Sequence, residues 1–81
     1  MNKKDAPVSY KVNIVIEKDE AGYYAYAPEL EGCHTQGSTL EDVMASIREA
    51  VELYLETMDV EERKRRLSKE ILTTSLEVNI A

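Results

Sequence analysis

The sequence predicts an α+β fold of order β-β-β-α-(α)-β, with one long helix packed on one face of a small sheet. Three observations carry this. Apolar residues alternate with polar ones over Tyr10–Glu17 and again over Thr73–Ile80, the period of half-buried strands. Between them, Leu40, Val43, Met44, Ile47, Ala50, Val51, Tyr54, Leu55 and Met58 recur at spacings of three and one, the stripe of an amphipathic helix. Gly22, Pro28, Gly32 and Gly37 punctuate the stretch before that helix and divide it into short strands and turns. At 81 residues the chain is read as a single domain, 1–81.

Residues 1–8 are polar, with one proline, and are expected to form a flexible arm. In the first strand Tyr10, Val12, Ile14 and Ile16 point one way and Lys11, Asn13, Val15 and Glu17 the other. Lys18–Gly22 is polar and ends in glycine, which reads as a hairpin loop of about five residues. Tyr23–Ala27 returns as an aromatic strand, and Pro28 stops it because proline has no ladder donor. Pro28–Gly32 is a turn, and Cys33–Gln36 a short third strand. The long helix is expected from Leu40 to about Met58, spanning roughly 28 Å. Ser38 or Thr39 serves as its N-cap, since Glu41 and Asp42 stand three residues further on. A second cap at Asp59, with Glu62 three residues later, opens a short helix over Val60–Leu67 that ends in the basic run Arg63–Arg66, as the helix dipole favours. The meander is antiparallel. A right-handed crossover through the helix then places strand four, Thr73–Ile80, parallel to the first strand and beside it.

The formal net charge is −6. An acidic chain as a whole repels nucleic acid and suits a basic protein partner. A lone cysteine, Cys33, excludes an internal disulfide and fits a reducing cytoplasm. No apolar run follows Lys3 and Lys4, so neither a signal peptide nor a membrane span is expected. A domain this small buries only about 60–70 % of its unfolded surface, so self-association into a dimer or tetramer is expected to stabilise it.

The residues capable of chemistry do not assemble into a reactive set. Cys33 and His34 are neighbours, so in a strand they point to opposite faces and cannot pair as nucleophile and base. Cys33 reads as a small core residue, and the single histidine finds no second ligand for a metal. Glu49, Glu52 and Glu56 lie on the solvated side of the helix, and the first strand offers Glu17 only at its end and the amide Asn13 inside it, so no carboxylates are expected to converge on a metal. No catalytic, metal or cofactor site is expected. Arg63 to Lys69 reads as a capping, solubilising run, without the aromatic interleaving of a nucleic-acid platform. Binding surfaces are better represented. Tyr24 and Tyr26, with Glu29 and Glu31, form the candidate partner interface, tyrosine being enriched in interfaces. Leu53 lies off the helix stripe. Leu76, Val78 and Ile80, on a terminal strand with an open edge, form the candidate oligomer interface.

The stretch YAYAPELEGCHTQGSTLEDVMASIREAVELYL, Tyr24 to Leu55, resembles the HicB-like antitoxin family. Pro28, Leu30, Gly32, Cys33, Gly37, Thr39, Leu40, Glu41 and Asp42 stand where that family has its aromatic-Pro-Glu-Leu, Gly-Cys, Gly-Ser-Thr and Leu-Glu-Glu-Ala elements, and the resemblance extends over about residues 10–80. It implies a degraded ribonuclease-H-like fold, homo-oligomers, and a non-enzymatic antitoxin that binds and sterically inhibits a small basic HicA-like mRNA ribonuclease. Many members carry a further C-terminal segment that binds operator DNA. This chain ends directly after strand four, so nucleic acid is not expected as a partner of it alone. The alternatives are an orphan, self-associating domain of the family without a toxin, or a weak nucleic-acid binder acting through Arg63–Lys69.

Overall fold

A computed structural model describes residues 8–81. It is α+β: β1 (Val15–Asp19), β2 (Gly22–Tyr26), β3 (His34–Gly37), α1 (Leu40–Glu56) and α2 (Val60–Arg66), in that order. The three strands form one antiparallel sheet, β1-β2-β3. The arm expected at residues 1–8 lies, except for exposed Val8, outside the described residues.

Each junction has a local cause. The β1–β2 loop is tighter than the expected five residues, because Asp19 and Gly22 pair directly and only Glu20 and Ala21 lie between them. The Asp19 carboxylate accepts from the Ala21 N–H at 2.8 Å, and Gly22 takes φ 135°, a conformation that favours glycine. After β2, the Leu30 N–H donates to the Ala27 carbonyl and the Cys33 N–H to the Leu30 carbonyl. Gly32, third residue of that second turn, has φ 80°, as a type II turn requires. The Ala27 N–H donates to the Cys33 carbonyl and carries the β2–β3 ladder past the strands themselves. Thr39 caps α1, its hydroxyl accepting from the Asp42 N–H at 3.0 Å; Asp59 caps α2 in the same way through the Glu62 N–H at 2.9 Å.

The register decides which side chains meet the helix. Ile16 opposes Ala25, Lys18 opposes Tyr23, and Ala25 opposes Thr35, so these lie on the face towards α1. The core is Ala25, Ala27, Leu30 and Cys33 from the sheet and its turn, with Val43, Ile47, Val51 and Met58 from the helical side. Small alanines on β2 allow α1 to approach closely, and Leu30 fills the end of the layer, fully buried. Where Gly37 leads into α1, an added Cβ would stand 2.7 Å from the Val43 backbone nitrogen. The helix N-terminus is therefore pressed directly onto the end of β3.

Two expectations about the strands do not hold. The first strand begins at Val15 rather than Tyr10. The register that pairs Val15 with Tyr26 would set Asn13 opposite Pro28. Proline supplies no N–H and the chain turns away there, so residues 10–14 have no ladder to join. The strand expected over Thr73–Ile80, parallel to the first, is also not present: residues 67–81 hold no helix or strand. Every residue of this tail from Leu72 to Ala81 is exposed. The radius of gyration is 16.0 Å, against about 12 Å for a compact chain of this length, and the molecule extends 63 Å along its longest axis against 27 and 19 Å along the others.

The contact at Gly37 generates a prediction. Gly37→Ala forces the first turn of α1 off the sheet and is expected to destabilise the domain by about 1–3 kcal/mol. Urea unfolding is expected to show a lower midpoint with an unchanged slope.

Candidate functional site

Among the described residues, no helix packs on the sheet face turned away from α1. Cross-strand pairing puts Val15, Glu17, Tyr24, Tyr26, His34 and Gln36 on it. The Tyr24 ring lies between two others, 5.8 Å from Tyr26 and 5.7 Å from His34, both at tilted angles. These spacings are in the range where rings attract one another. Both tyrosines are half-buried and His34 is exposed. A shallow depression beside the rings continues onto Pro28, Glu31 and Gly32.

The Pro28–Gly32 turn forms one end of this face and is pinned from three sides. The Tyr54 hydroxyl, on α1, donates to the Glu31 carbonyl at 2.8 Å. Leu30 is inserted into the core. Glu29, expected at the partner surface, is instead only 4 % exposed. Its Oε1 accepts from the Asn13 side-chain amide at 2.9 Å and from the Asn13 backbone N–H at 3.3 Å. The carboxylate thus accepts from the Asn13 backbone N–H, which has no strand opposite it once the chain turns away at Pro28. Its Oε2 has no hydrogen-bond partner among the described residues. Glu31, in contrast, is exposed. Of the four residues expected at the interface, Tyr24, Tyr26 and Glu31 come together at the surface, and Glu29 supports them from within. Burial of Glu29 was not legible in the pattern. Its signal is the turn at Pro28 opposite Asn13, which ends the ladder there and appears only once the register is known.

Cys33 and His34 separate as their adjacency requires. The thiol lies in the core, 6 % exposed, and burial raises its pKa above the usual 9.0. It therefore stays protonated at neutral pH and is a poor nucleophile. Among the described residues no three His, Cys, Asp or Glu side chains gather as a metal would need.

The basic run is partly committed. Arg63 Nε donates to the Leu55 carbonyl at 2.8 Å, and its guanidinium lies 5.6 Å from the Tyr10 ring centre. It thereby satisfies a carbonyl at the C-terminus of α1, whose last turn has no basic residue of its own. Arg66 stands 3.8 Å from Glu62. Lys64, Arg65 and Lys69 are exposed. Leu53 is 57 % exposed on α1. Leu76, Val78 and Ile80, the expected oligomer interface, are 84, 69 and 91 % exposed on the projecting tail. Among the described residues no helix is long and apolar enough to cross a membrane.

Comparison with known proteins identifies relatives. A family profile described as "HicB_like antitoxin of bacterial toxin-antitoxin system" matches residues 10–78. A UPF0150 protein of Helicobacter pylori is 40 % identical over 70 residues, covering 86 % of this chain and 97 % of its own. A UPF0150 protein of Archaeoglobus fulgidus is 57 % identical over 47 residues, 57 % of this chain and 68 % of its own. One of Synechocystis is 43 % identical over 53 residues, 64 % of this chain and 67 % of its own. No solved structure matches.

Two outcomes follow from the site geometry. Asn13→Ala strips a buried carboxylate of its shortest hydrogen bond and is expected to cost about 1–3 kcal/mol in chemical denaturation. The Cys33 proton is held more tightly in the folded chain than in the unfolded one, where the value is the ordinary 9.0. Stability from this group is therefore intact below pH 9.0 and declines as the pH rises above it. A Cys33→Ala variant is expected to lose that alkaline decline, and at pH 8 the native thiol is expected to react with a disulfide reagent more slowly than in denatured chain.

Proposed function

Because the chain belongs to the HicB-like antitoxin family, we propose that it is the non-enzymatic antitoxin of a toxin–antitoxin pair and acts by occlusion. The partner in this reading is a small basic HicA-like mRNA ribonuclease, and the setting is the cytoplasm. The observation that carries the reading is the uncovered sheet face, where Tyr24 and Tyr26 stand side by side while the opposite face is filled by α1. Rigid amphipathic rings make strong anchors at the centre of an interface.

The rest of the surface supports the same partner. A net charge of −6 speeds encounter with a basic protein and repels competing RNA. Glu17 and Glu31, both exposed, stand at the two ends of the tyrosine face and suit lysines or arginines on a toxin. The turn that presents Glu31 is held by Tyr54, Leu30 and Glu29, so little is lost in ordering it on binding. Inhibition needs no chemistry from this chain, because covering the RNA-binding surface of the toxin is sufficient.

The test is co-expression with the product of the adjacent reading frame, followed by a titration of the purified pair. The pair is expected to copurify and the ribonuclease to be silenced. The double variant Tyr24→Ala with Tyr26→Ala removes two anchors and is expected to weaken binding by at least ~30-fold, the equivalent of about 2 kcal/mol, while the helical signal is unchanged. Equal binding by the double variant, or a neighbour that does not bind at all, contradicts the reading.

A further inference from the structure

A depression of about 520 Å³ lies between the end of α2 and the Pro28–Gly32 turn. Arg65, Arg66 and Lys69 contribute to it from the helical side, and Pro28, Glu29 and Glu31 from the turn. Its volume is within the range of small-molecule sites, about 300–1,000 Å³. The opposite charges around it do not neutralise one another. Among the described residues Arg66 is paired with Glu62, at 3.8 Å, and no cation of the depression is paired with Glu29 or Glu31. Glu29, buried at its border, also keeps Oε2 without a hydrogen-bond partner among the described residues. Three cationic donors and two carboxylates thus border one space without satisfying each other.

Both walls are held in place by the rest of the chain. On the turn, Asn13 holds the Glu29 carboxylate and the Tyr54 hydroxyl holds the Glu31 carbonyl. On the helical side, Arg63 Nε ties α2 to the Leu55 carbonyl and Leu67 packs against the core. The Ser68 hydroxyl donates to the Arg65 carbonyl at 2.9 Å and fixes the start of the segment that carries Lys69. Glu31, Arg65 and Lys69 are nonetheless exposed. A ligand entering here meets backbone already ordered, so little is lost in arranging the walls around it.

The two walls suit different ends of one molecule. Two guanidinium groups and an ammonium suit a phosphate. The carboxylates repel further negative charge and accept only from donors. We propose that the depression binds a guanine nucleotide, its phosphate on Arg65, Arg66 and Lys69 and the pairing edge of its base on Glu31. That edge of guanine carries N1–H and an N2 amino hydrogen side by side, a match for the two oxygens of one carboxylate. Adenine and cytosine set an amino group beside a ring nitrogen that is itself an acceptor. Uracil sets its one N–H between two carbonyls. Each of these three bases therefore turns a lone pair towards the carboxylate. Glu29 adds a second acceptor to the same wall, and Pro28 gives apolar surface for the base. A single nucleotide suits the chain better than a polymer does. The net charge of −6 repels a run of phosphates, whereas one phosphate needs only the local cations.

An NMR titration of the isotope-labelled full chain tests this, with guanosine, adenosine and cytidine monophosphates and inorganic phosphate as probes. No toxin is present, so the outcome is separate from the antitoxin reading. Guanosine monophosphate is expected to move the amides of Glu31, Arg65, Arg66 and Lys69 saturably. It is expected to bind at least ~10-fold more tightly than the other three probes, the equivalent of one hydrogen bond to a charged group. Arg65→Ala with Lys69→Ala changes only exposed residues, so the body stays folded. It is expected to weaken that binding by at least ~10-fold. Glu31→Gln is expected to remove the preference for guanine and to leave phosphate binding in place. Guanosine monophosphate that leaves these amides unmoved overturns the inference. So do four probes that bind alike, which marks a phosphate patch only, or a guanine preference that survives Glu31→Gln. An oligouridylate that binds more tightly than guanosine monophosphate marks a nucleic-acid surface and overturns it as well.

Discussion

The structure depends on one contact: the apolar stripe of α1 against the small residues of β2 and the turn that follows it. Val43, Ile47 and Val51 face Ala25, Ala27 and Leu30, all buried. Each large side chain buried there contributes about 1.5–3 kcal/mol, and little else in an 81-residue chain is available to offset the entropy of folding. Alanines on the strand and glycine at position 37 have the same purpose. They remove bulk so that the helix lies close enough to exclude water from the layer.

That close packing sets what remains available for binding. Because α1 takes the inner face of the sheet, the outer face keeps its tyrosines uncovered. Because α1 leans towards β3, the β1 side keeps an apolar border. The turn at Pro28–Gly32 links the two regions: Leu30 anchors it in the core, Tyr54 ties it to α1, and Glu29 ties it to the segment before β1. A buried carboxylate costs energy unless it accepts hydrogen bonds, and Asn13 supplies two. The acid at position 29 is therefore an internal brace, and the acid at position 31 remains at the surface.

Much of this was legible in the residues because it is set by local chemistry. Thr39 and Asp59 cap helices wherever an acid follows three residues later, Pro28 ends a strand in any context, and the stripe from Leu40 to Met58 has one period. Periodicity misled where the outcome depends on a partner strand. Tyr10–Ile14 alternates as a strand does, yet the chain opposite turns away at Pro28 and leaves it unpaired. Thr73–Ile80 alternates equally well, and among the described residues no strand pairs with it. Alternation records that a segment is suited to a sheet and carries no information about whose sheet it joins. The function of Arg63 was hidden for a related reason: it caps a helix other than its own, a contact that no spacing rule within α2 reveals.

Under the occlusion proposed above, recognition falls on the open sheet face and spares the helix side. The most direct measurement is an NMR titration of the isotope-labelled chain with the product of the adjacent reading frame. Amide shifts are expected to concentrate at Val15, Glu17, Tyr24, Tyr26, His34 and Gln36 and to continue onto Glu31. Shifts confined to the polar side of α1, at Glu41, Glu49 and Glu52, with the tyrosine face unmoved, would contradict it.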